Sequence, residues 1–298
     1  MIKRLVKMTA IVCGAALLGL LWLAWAGSNY IQLSHYQVSV ERLPESFQEE
    51  LRIVHISDLH GKEFGKNNER LARAIAALEP DLILASGDLI SSRGDDGSAF
   101  INLLRELKGL CPVYCSLGNH EQILRMGTGA ERYENFTRQL RERGAVLLDN
   151  ERVVLDWDGT PVAIYGLTAM LYHYSGRNTA PWDGGLLTAE YIEEAIGRPQ
   201  ESELSILLAH NPKYFPEYAR WGADLVFSGH VHGGVIRLPY LGGLFSPDLT
   251  FFPPYDAGLY SQGKTQMHVS RGLGNSVIPV RIFNRPDVSL VIVQDARR

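Results

Sequence analysis

Apolar residues recur along this chain in short, β-branched blocks, and each block breaks off into a polar, often glycine-containing end. Arg52-Ile53-Val54-His55-Ile56 runs into Ser57-Asp58-Leu59-His60-Gly61, and Asp81-Leu82-Ile83-Leu84-Ala85-Ser86 runs into Gly87-Asp88. Residues 113–117 run into Gly118-Asn119-His120-Glu121, residues 204–209 end on His210, and residues 224–228 end on Gly229-His230-Val231-His232. Blocks of this length and composition predict buried strands. Between the first three the period becomes helical. Leu71, Ile75 and Leu78 share one face of a helix predicted over about 67–78 and ended by Pro80; Phe100, Leu103, Leu104 and Leu107 mark a second over about 98–107. Strand, helix, strand, helix, strand is the order of a largely parallel sheet.

The remaining pattern is less regular. A first strand is expected over 36–40, broken at Leu43-Pro44, and a helix around 133–143. Short β segments at 146–148, 153–155 and 162–165, with an Asp158-Gly159 turn, read as a meander. A helix is expected near 188–196, and further β segments over 277–293. Residues 170–185 are aromatic and irregular, with Tyr172, His173, Tyr174 and Trp182. Residues 238–260 include Phe251-Phe252-Pro253-Pro254-Tyr255 and are unusually apolar for an exposed connection. They either cover the edge of a second sheet or form an apolar wall for an acyl chain or a bilayer surface. There is no internal repeat and no low-complexity segment.

The amino terminus changes the picture. Lys3, Arg4 and Lys7 precede an uncharged run over 8–28 rich in Leu, Ala and Trp. That run is long enough, or nearly so, to span a bilayer as a helix. The cations keep its amino end cytoplasmic, which places the residues beyond Ser28 on the far side. Ala24-Trp25-Ala26 fits a signal-peptidase site; the length of the run and the belt-like position of Trp22 and Trp25 favour an uncleaved anchor. The expected organisation is a cytoplasmic stub and anchor over 1–33 and one domain over 34–298. The location expected is the cell membrane, crossed once, with the domain extracytoplasmic.

With 298 residues, 46% of them hydrophobic and 21% charged, the chain suits one large or two small globular domains. A net charge of −4 and unclustered basic residues argue against nucleic acid as a partner. Cys13 lies in the membrane segment. Cys111 and Cys115, four residues apart on an extended chain, would be roughly 13 Å distant, too far to bridge. Both are expected as small buried hydrophobes.

Collected together, the strand-end residues are Asp58, His60, Asp88, Asn119, His120, His210, His230 and His232. In open α/β sheets ligands bind at such carboxyl ends. Any one of these residues alone would be an ordinary turn former or a satisfied polar side chain. Five strand ends in this order are another matter. Imidazole with carboxylate and amide oxygen suits Mn, Fe or Zn, whereas a pure Mg or Ca site would be all oxygen. So many ligands exceed one tetrahedral ion, and two ions sharing a carboxylate use them economically. Two dications against two carboxylates leave about +2, an electropositive pit suited to phosphate.

Ser57-Asp58-Leu59-His60, Gly87-Asp88, Gly118-Asn119-His120-Glu121, Ala209-His210 and Gly229-His230-Val231-His232 together resemble the five motifs of the calcineurin-like metallophosphoesterases, over about 52–232. Gly233-Gly234, Arg237-Leu238-Pro239 and Ser270-Arg271-Gly272-Leu273-Gly274 resemble, more loosely, a membrane-associated bacterial branch that includes UDP-2,3-diacylglucosamine pyrophosphatase-like enzymes. The resemblance implies a four-layer α/β/β/α sandwich of two mixed sheets, with a dinuclear metal site at the strand ends. It implies one ion on Asp58, His60, Asp88 and His232 and another on Asp88, Asn119, His210 and His230, bridged by Asp88. His120, not a ligand, would protonate the leaving oxygen or stabilise charge on the phosphoryl group. The activity implied is metal-dependent hydrolysis of a phosphoester or pyrophosphate bond in a phosphorylated small molecule or a lipid-linked substrate.

The chain departs from the family at one point. The family often carries a second Asp three residues after the bridging one, and that carboxylate can orient the catalytic His; here the position is Ser91. Arg93 also falls one residue later than the Arg some branches carry. Asp95 or Asp96 stands open as a substitute. A catalytically silent, metal-dependent binding module of the same fold is the alternative, and the presence of His120 beside a full ligand set favours the enzyme.

Overall fold

In the computed structural model, which describes residues 2–41, 43, 47, 50–174, 187–234, 236–238, 240–247, 250–275 and 280–297, the five blocks with polar ends are strands of two sheets. Three of them, β2 (Leu51–Ile56), β3 (Leu82–Ser86) and β4 (Val113–Ser116), are parallel neighbours. The other two, β8 (Leu204–Ala209) and β9 (Leu225–Ser228), are parallel neighbours in the second sheet.

The first sheet is completed by β1 (Gln32–Val40), β14 (Asp287–Asp295) and β5 (Val146–Leu148), in the order β1-β14-β2-β3-β4-β5. Only the β14–β2 pairing is antiparallel. The second sheet adds β6 (Glu151–Trp157), β7 (Thr160–Leu167), β12 (Gly258–Gln262) and β13 (Thr265–Val269), in the order β12-β13-β9-β8-β7-β6, with antiparallel pairings at its two edges. A two-residue ladder joins β10 (Arg237–Leu238) to β11 (Gly242–Gly243).

Alternation along the strands divides the core. On β2 and β3, Ile53, Leu82 and Leu84 face Ile164, Ile206, Leu208, Leu225 and Phe227 of the second sheet. Val54, Ile56, Ile83 and Ala85 point the other way, as a period of two requires. They meet Leu71 and Ile75 of α2 (Glu69–Ala76), Phe100 and Leu103 of α3 (Ser98–Glu106), and Phe136 and Leu140 of α5 (Ala130–Glu142). A third core joins Tyr165, Leu207 and Val226 to Ile192 of α6 (Ala189–Ile196) and to Phe215, Tyr218 and Trp221 of α7 (Phe215–Trp221).

The structure differs from the expected meander, because β5 pairs with β4 while β6 and β7 belong to the other sheet. The chain changes sheet at Asn150, in the left-handed region (φ +54°), where Asn is readily accommodated and its Oδ1 accepts the Thr168 N–H at 2.8 Å. Two helices lie outside the expected set: α7, too short for a period to show, and α4 (Asn119–Met126), which begins inside the third polar strand end. Cys115 is fully buried as expected, whereas Cys111 is half-buried; burial pushes the Cys111 thiol up to about 11. Pro44, Trp182 and the 276–279 stretch lie outside the described residues.

Between the sheets two histidines face each other. His55 Nδ1 lies 2.7 Å from His268 Nδ1, and His55 Nε2 lies 2.7 Å from Ser86 Oγ. Burial holds His55 well below the ordinary imidazole range and His268 at about 4, so both are neutral in the fold. In the unfolded chain they titrate near about 6.5. The folded values are the lower ones, so the unfolded chain binds more protons once the pH drops below about 6.5. Their contribution to stability is full above that value and is lost as pH falls towards 4, at up to about 2.7 kcal/mol per pH unit for the pair. Urea unfolding at pH 7 and pH 5 measures this, and His268→Phe should flatten the dependence. Equal midpoints for the parent at both pH values would contradict it.

The first helix, α1 (Ile2–Asn29), is about 42 Å long at 1.5 Å per residue. It is long and apolar enough to cross a bilayer, and most of its side chains are exposed. Its last turn is not: Ala26 and Ser28 are buried against the domain, and only Tyr30 and Ile31 separate the helix from β1.

Candidate metal centre

The polar strand ends of both sheets converge on one place. Asp58 leaves β2, Asp88 follows β3, His210 follows β8, and His230 and His232 follow β9. Backbone hydrogen bonds lock these exits together: Asp58 N–H donates to Gly87 O at 3.0 Å, His60 N–H to Asp88 O at 3.2 Å, and Gly229 N–H to His210 O at 3.0 Å. Asp58, His60, Asp88, His230 and His232 all have φ between +47° and +68°. A left-handed conformation is costly for residues with a Cβ, and strained backbone of this kind clusters at functional sites. Glycine is required twice by close approach. A Cβ on Gly229 would sit 1.9 Å from Ser57 Oγ, and one on Gly118 would sit 2.2 Å from Asp88 Oδ1.

Three groups of ligand atoms result, each within 4.8 Å of one another: Asp58 with His60 and His232; Asp88 with His210 and His230; and Asp88 with His60 and His120. Asp88 occurs in two of them. Its Oδ2 lies 3.2 Å from His210 Nε2 and 3.6 Å from His60 Nε2. Asp58 Oδ1 lies 3.3 Å from His232 Nε2, and His60 and His232 stack with their Nε2 atoms 3.2 Å apart. Asn119 opens α4 next to His120, whose own N–H donates to Asp88 Oδ1 at 2.8 Å.

The donors are held by a surrounding layer. Ser57 Oγ donates to Asp58 Oδ2, and the His230 N–H reaches both Asp58 oxygens at 3.1 Å. His210 Nδ1 lies 2.6 Å from Ser86 O; a carbonyl only accepts, so Nδ1 carries the proton and Nε2 is left with a lone pair. Such an outer partner is what orients a metal-ligating histidine. His210 Nε2 and Asn119 Oδ1 are buried without a hydrogen-bond partner among the described residues. Buried lone pairs left unmatched are costly, and a cation would satisfy both. The donor set fits divalent metal.

The electrostatics lead to the same conclusion. Burial, and then the Asp88 charge, raise the Asp58 carboxyl to about 6. Burial would raise Asp88 too, but His210 and His120 outweigh it and hold Asp88 well below the usual carboxylate range. Burial lowers His60 to about 3 and His232 well below its ordinary value, leaving both as neutral lone-pair donors. Against burial, Asp88 and Asp58 raise His210 to about 10. A proton on His210 Nε2 therefore occupies the place a cation would take. His210 Nε2 lies 3.2 Å from Asp88 Oδ2, and loss of that proton would free the Nε2 lone pair for a cation beside the Asp88 carboxylate.

The Asp95 and Asp96 carboxylates do not substitute for the carboxylate absent at Ser91. Asp95 accepts from the Ser91 and Gly97 N–H groups at 2.7 and 2.9 Å, and Asp96 caps Ser98. Ser92 contacts His120 there with the opposite polarity: its N–H donates to Nδ1 at 2.9 Å, where a carboxylate would accept, and its Oγ lies 3.0 Å away. Neutral His120 therefore carries its proton on Nε2. Arg132 braces this loop by donating to Asp95 O and Ser92 O.

Two further side chains escaped the sequence reading. Arg281 is buried, donates to the Gly274, Arg271 and Asn284 carbonyls, and lies 3.4 Å from His232 Nδ1. Glu121, third residue of α4, accepts the N–H groups of Asp88, Leu89, Ile90 and Gly118 at 3.0, 2.6, 3.2 and 2.9 Å. Its place three residues after Gly118 is a capping-box position, the one signal available in the sequence. Glu121→Ala strands four buried donors. At about 1–3 kcal/mol each, partly relieved by entering water, the loss should be on the order of 4 kcal/mol. Denaturant unfolding of the variant measures it, and a midpoint equal to the parent's would show that this carboxylate does not hold the loop.

Among known proteins, the family description Calcineurin-like phosphoesterase matches residues 51–234. The chain is similar to the uncharacterized metallophosphoesterase YkuE of Bacillus subtilis (strain 168), 27% identical over 267 residues, 88% of this chain and 85% of that protein. It is similar to phosphodiesterase YaeI of Escherichia coli (strain K12), 27% identical over 246 residues, 80% of this chain and 81% of that one. Similarity to UDP-2,3-diacylglucosamine pyrophosphatase LpxG of Chlamydia muridarum (strain MoPn / Nigg) is 26% over an aligned length of 345, covering 96% of each.

Proposed function

This chain belongs to the calcineurin-like phosphoesterase family, and from that premise we propose a membrane-anchored hydrolase that holds two divalent ions and cleaves a phosphoester or pyrophosphate bond of a lipid-linked substrate. The observation that carries this reading is the convergence of Asp58, His60, Asp88, His210, His230 and His232 from four strand ends, with the Asn119 Oδ1 of the fifth buried and without a hydrogen-bond partner among the described residues. Asp58, His60, Asp88 and His232 hold one ion and Asp88, Asn119, His210 and His230 the other. Mn, Fe or Zn suits the mixed donor set. The three apolar cores support a four-layer α/β/β/α stack around the site.

Two such ions supply a Lewis-acid clamp and an activated water for in-line displacement at phosphorus. The chain's residues do the rest. Ser57 and the His230 N–H fix the Asp58 oxygens, Ser86 fixes the His210 ring, and Glu121 fixes the loop that carries Asp88. His120, its Nδ1 held by Ser92, presents Nε2–H as a hydrogen-bond donor to the leaving oxygen or the phosphoryl group, and transfers that proton only as the imidazolium, with Ser92 Oγ accepting from Nδ1. A silent binding module would have no use for that proton. The phosphodiesterase and the diacylglucosamine pyrophosphatase among the relatives support hydrolysis of a phosphorus–oxygen bond, the second on an acylated substrate.

The test is the full chain in nanodiscs, loaded with Mn, against soluble mono- and diesters, pyrophosphates and their lipid-linked counterparts. Product should form, fastest from a lipid-linked substrate. A loaded chain that binds these esters and releases no product would establish the binding module instead.

Lys3, Arg4 and Lys7 favour a cytoplasmic amino end for α1, and the length of the helix favours an uncleaved anchor. Protease added outside intact spheroplasts should therefore digest the domain, which otherwise stays with the membrane. Protection would reverse the orientation, and a soluble fragment beginning at Gly27 would show cleavage.

A further inference from the structure

Beside the point where α1 meets the domain lies a set of apolar side chains with nothing packed over them. Tyr240, Leu241, Phe251, Phe252 and Phe283 range from 53% to 106% exposed. Three of the four aromatics, Tyr240, Phe252 and Phe283, also have left-handed backbones, with φ of +66°, +48° and +52°. Bulky residues rarely adopt this conformation, and when they do the strain is often tied to function. Here it turns large rings outward into water, which is unfavourable on both counts for a surface facing only solvent.

The patch is continuous with the end of the membrane helix. A Cβ on Gly27 would lie 2.2 Å from Arg281 O, so α1 rests directly on that segment. Ile282 pairs with Ile236, Leu244 N–H donates to Ile236 O at 2.8 Å, and Phe252 N–H donates to Leu244 O at 2.9 Å. Phe283, Tyr240, Leu241 and Phe252 line one cleft of ≈ 610 Å³. Near its carboxyl end the helix exposes Trp22 and Trp25, and Tyr30 just beyond it is exposed too, residues typical of an interfacial belt. Lys62 and Arg70 reach Asn29 at the helix end, placing cations where anionic headgroups would lie. With two residues between α1 and β1, the domain has little freedom to swing this face away.

A second cleft of ≈ 170 Å³ adjoins the first. It shares Pro253 and Pro254 with the first cleft and is bounded by His230, Lys213 and Tyr255. One of the candidate metal ligands, His230, thus lines a cleft that borders the cleft among the exposed aromatics.

We propose that Tyr240, Leu241, Phe251, Phe252 and Phe283 form a rim that inserts into the surface of the bilayer crossed by α1. The metal centre then opens onto the headgroup layer, and the passage under Pro253-Pro254 admits a phosphorylated lipid headgroup without its leaving the membrane. This rests on the reading of α1 as an anchor. The partner is the lipid surface itself, not a second protein. Side chains of an interfacial element reach roughly 5–10 Å into the headgroup and acyl boundary, and the rim should do the same.

The experiment uses the full chain with Cys13→Ala and Cys111→Ala, carrying in turn Leu241→Cys, Phe251→Cys, Leu17→Cys or Glu151→Cys labelled with a nitrobenzoxadiazole dye. Each is reconstituted into vesicles of phosphatidylethanolamine and phosphatidylglycerol, with and without brominated acyl chains. Emission at 241 and 251 should shift to the blue and be lost to the brominated lipid, as at 17 within α1, while emission at 151 is unaffected. Quenching at 17 but not at 241 or 251 would overturn the rim and leave the anchor standing. No quenching at 17 would remove the anchor and the rim together. A blue-shifted 241 probe that brominated lipid leaves bright, and whose shift grows with protein concentration, would overturn the proposal by placing a second copy of the chain on the patch.

Discussion

The Asp88→Asn variant will hold fewer than two divalent ions per chain and will lose turnover on every phosphoester offered to it. Asp88 is the carboxylate that stands in two of the three ligand groups, and its Oδ2 lies nearer both His210 Nε2 and His60 Nε2, at 3.2 and 3.6 Å, than Asp58 Oδ1 does, at 3.7 and 3.9 Å. An amide in its place has one oxygen to offer and no charge to set against two dications. Its backbone setting should survive, because Glu121 holds the Asp88 N–H and the substitution is isosteric. The expected variant is therefore a folded chain with a depleted site. Metal analysis together with thermal unfolding separates the alternatives. A variant that retains two tightly held ions would show that Asp88 does not bridge.

His120→Ala will keep its metals and slow turnover by roughly 10²–10⁴-fold, the usual contribution of a general acid. Ser92 donates to Nδ1, so the proton available to a leaving group is the one on Nε2. The loss should be greatest for strongly basic alkoxide leaving groups and should nearly vanish for a nitrophenolate, which departs without a proton. Equal losses on both would assign His120 to the phosphoryl oxygens instead. A third outcome has a structural basis, because His120 also lies in a possible ligand group with His60 and Asp88. Loss of metal from the variant would place it in the coordination shell.

The candidate ligands could be picked out in the sequence because each follows an apolar block, and the strand ends that carry them are where the chain leaves its sheets. What orients them was not. Glu121 acts on N–H groups some 31–33 residues away, and nothing local in the sequence marks those partners. Ser92 acts on His120 largely through its backbone, so the residue type at 92 carries little information; Asp95, a more obvious candidate, is spent on its own loop. Arg281 lies within 277–293, expected as β segments, but is held by the Gly274, Arg271 and Asn284 carbonyls of irregular backbone, which no strand pattern marks. In the fold, the parallel core followed from its β-branched blocks. The division of 146–167 between two sheets did not, because it turns on the conformation of Asn150. The exposed aromatics between 240 and 252 were visible as an apolar stretch, but their nearness to α1 depends on the pairing of Ile236 with Ile282.

The central claim is that catalysis requires two divalent ions at this site, and stripping and refilling the chain tests it most directly. Purified full-length protein is freed of metal with a chelator, then titrated with Mn while bound metal and ester hydrolysis are followed together. Hydrolysis should be absent from the stripped chain, and it should rise with metal and level off when two ions are bound per chain. Undiminished turnover by the stripped chain would contradict the account, as would full activity with a single ion bound.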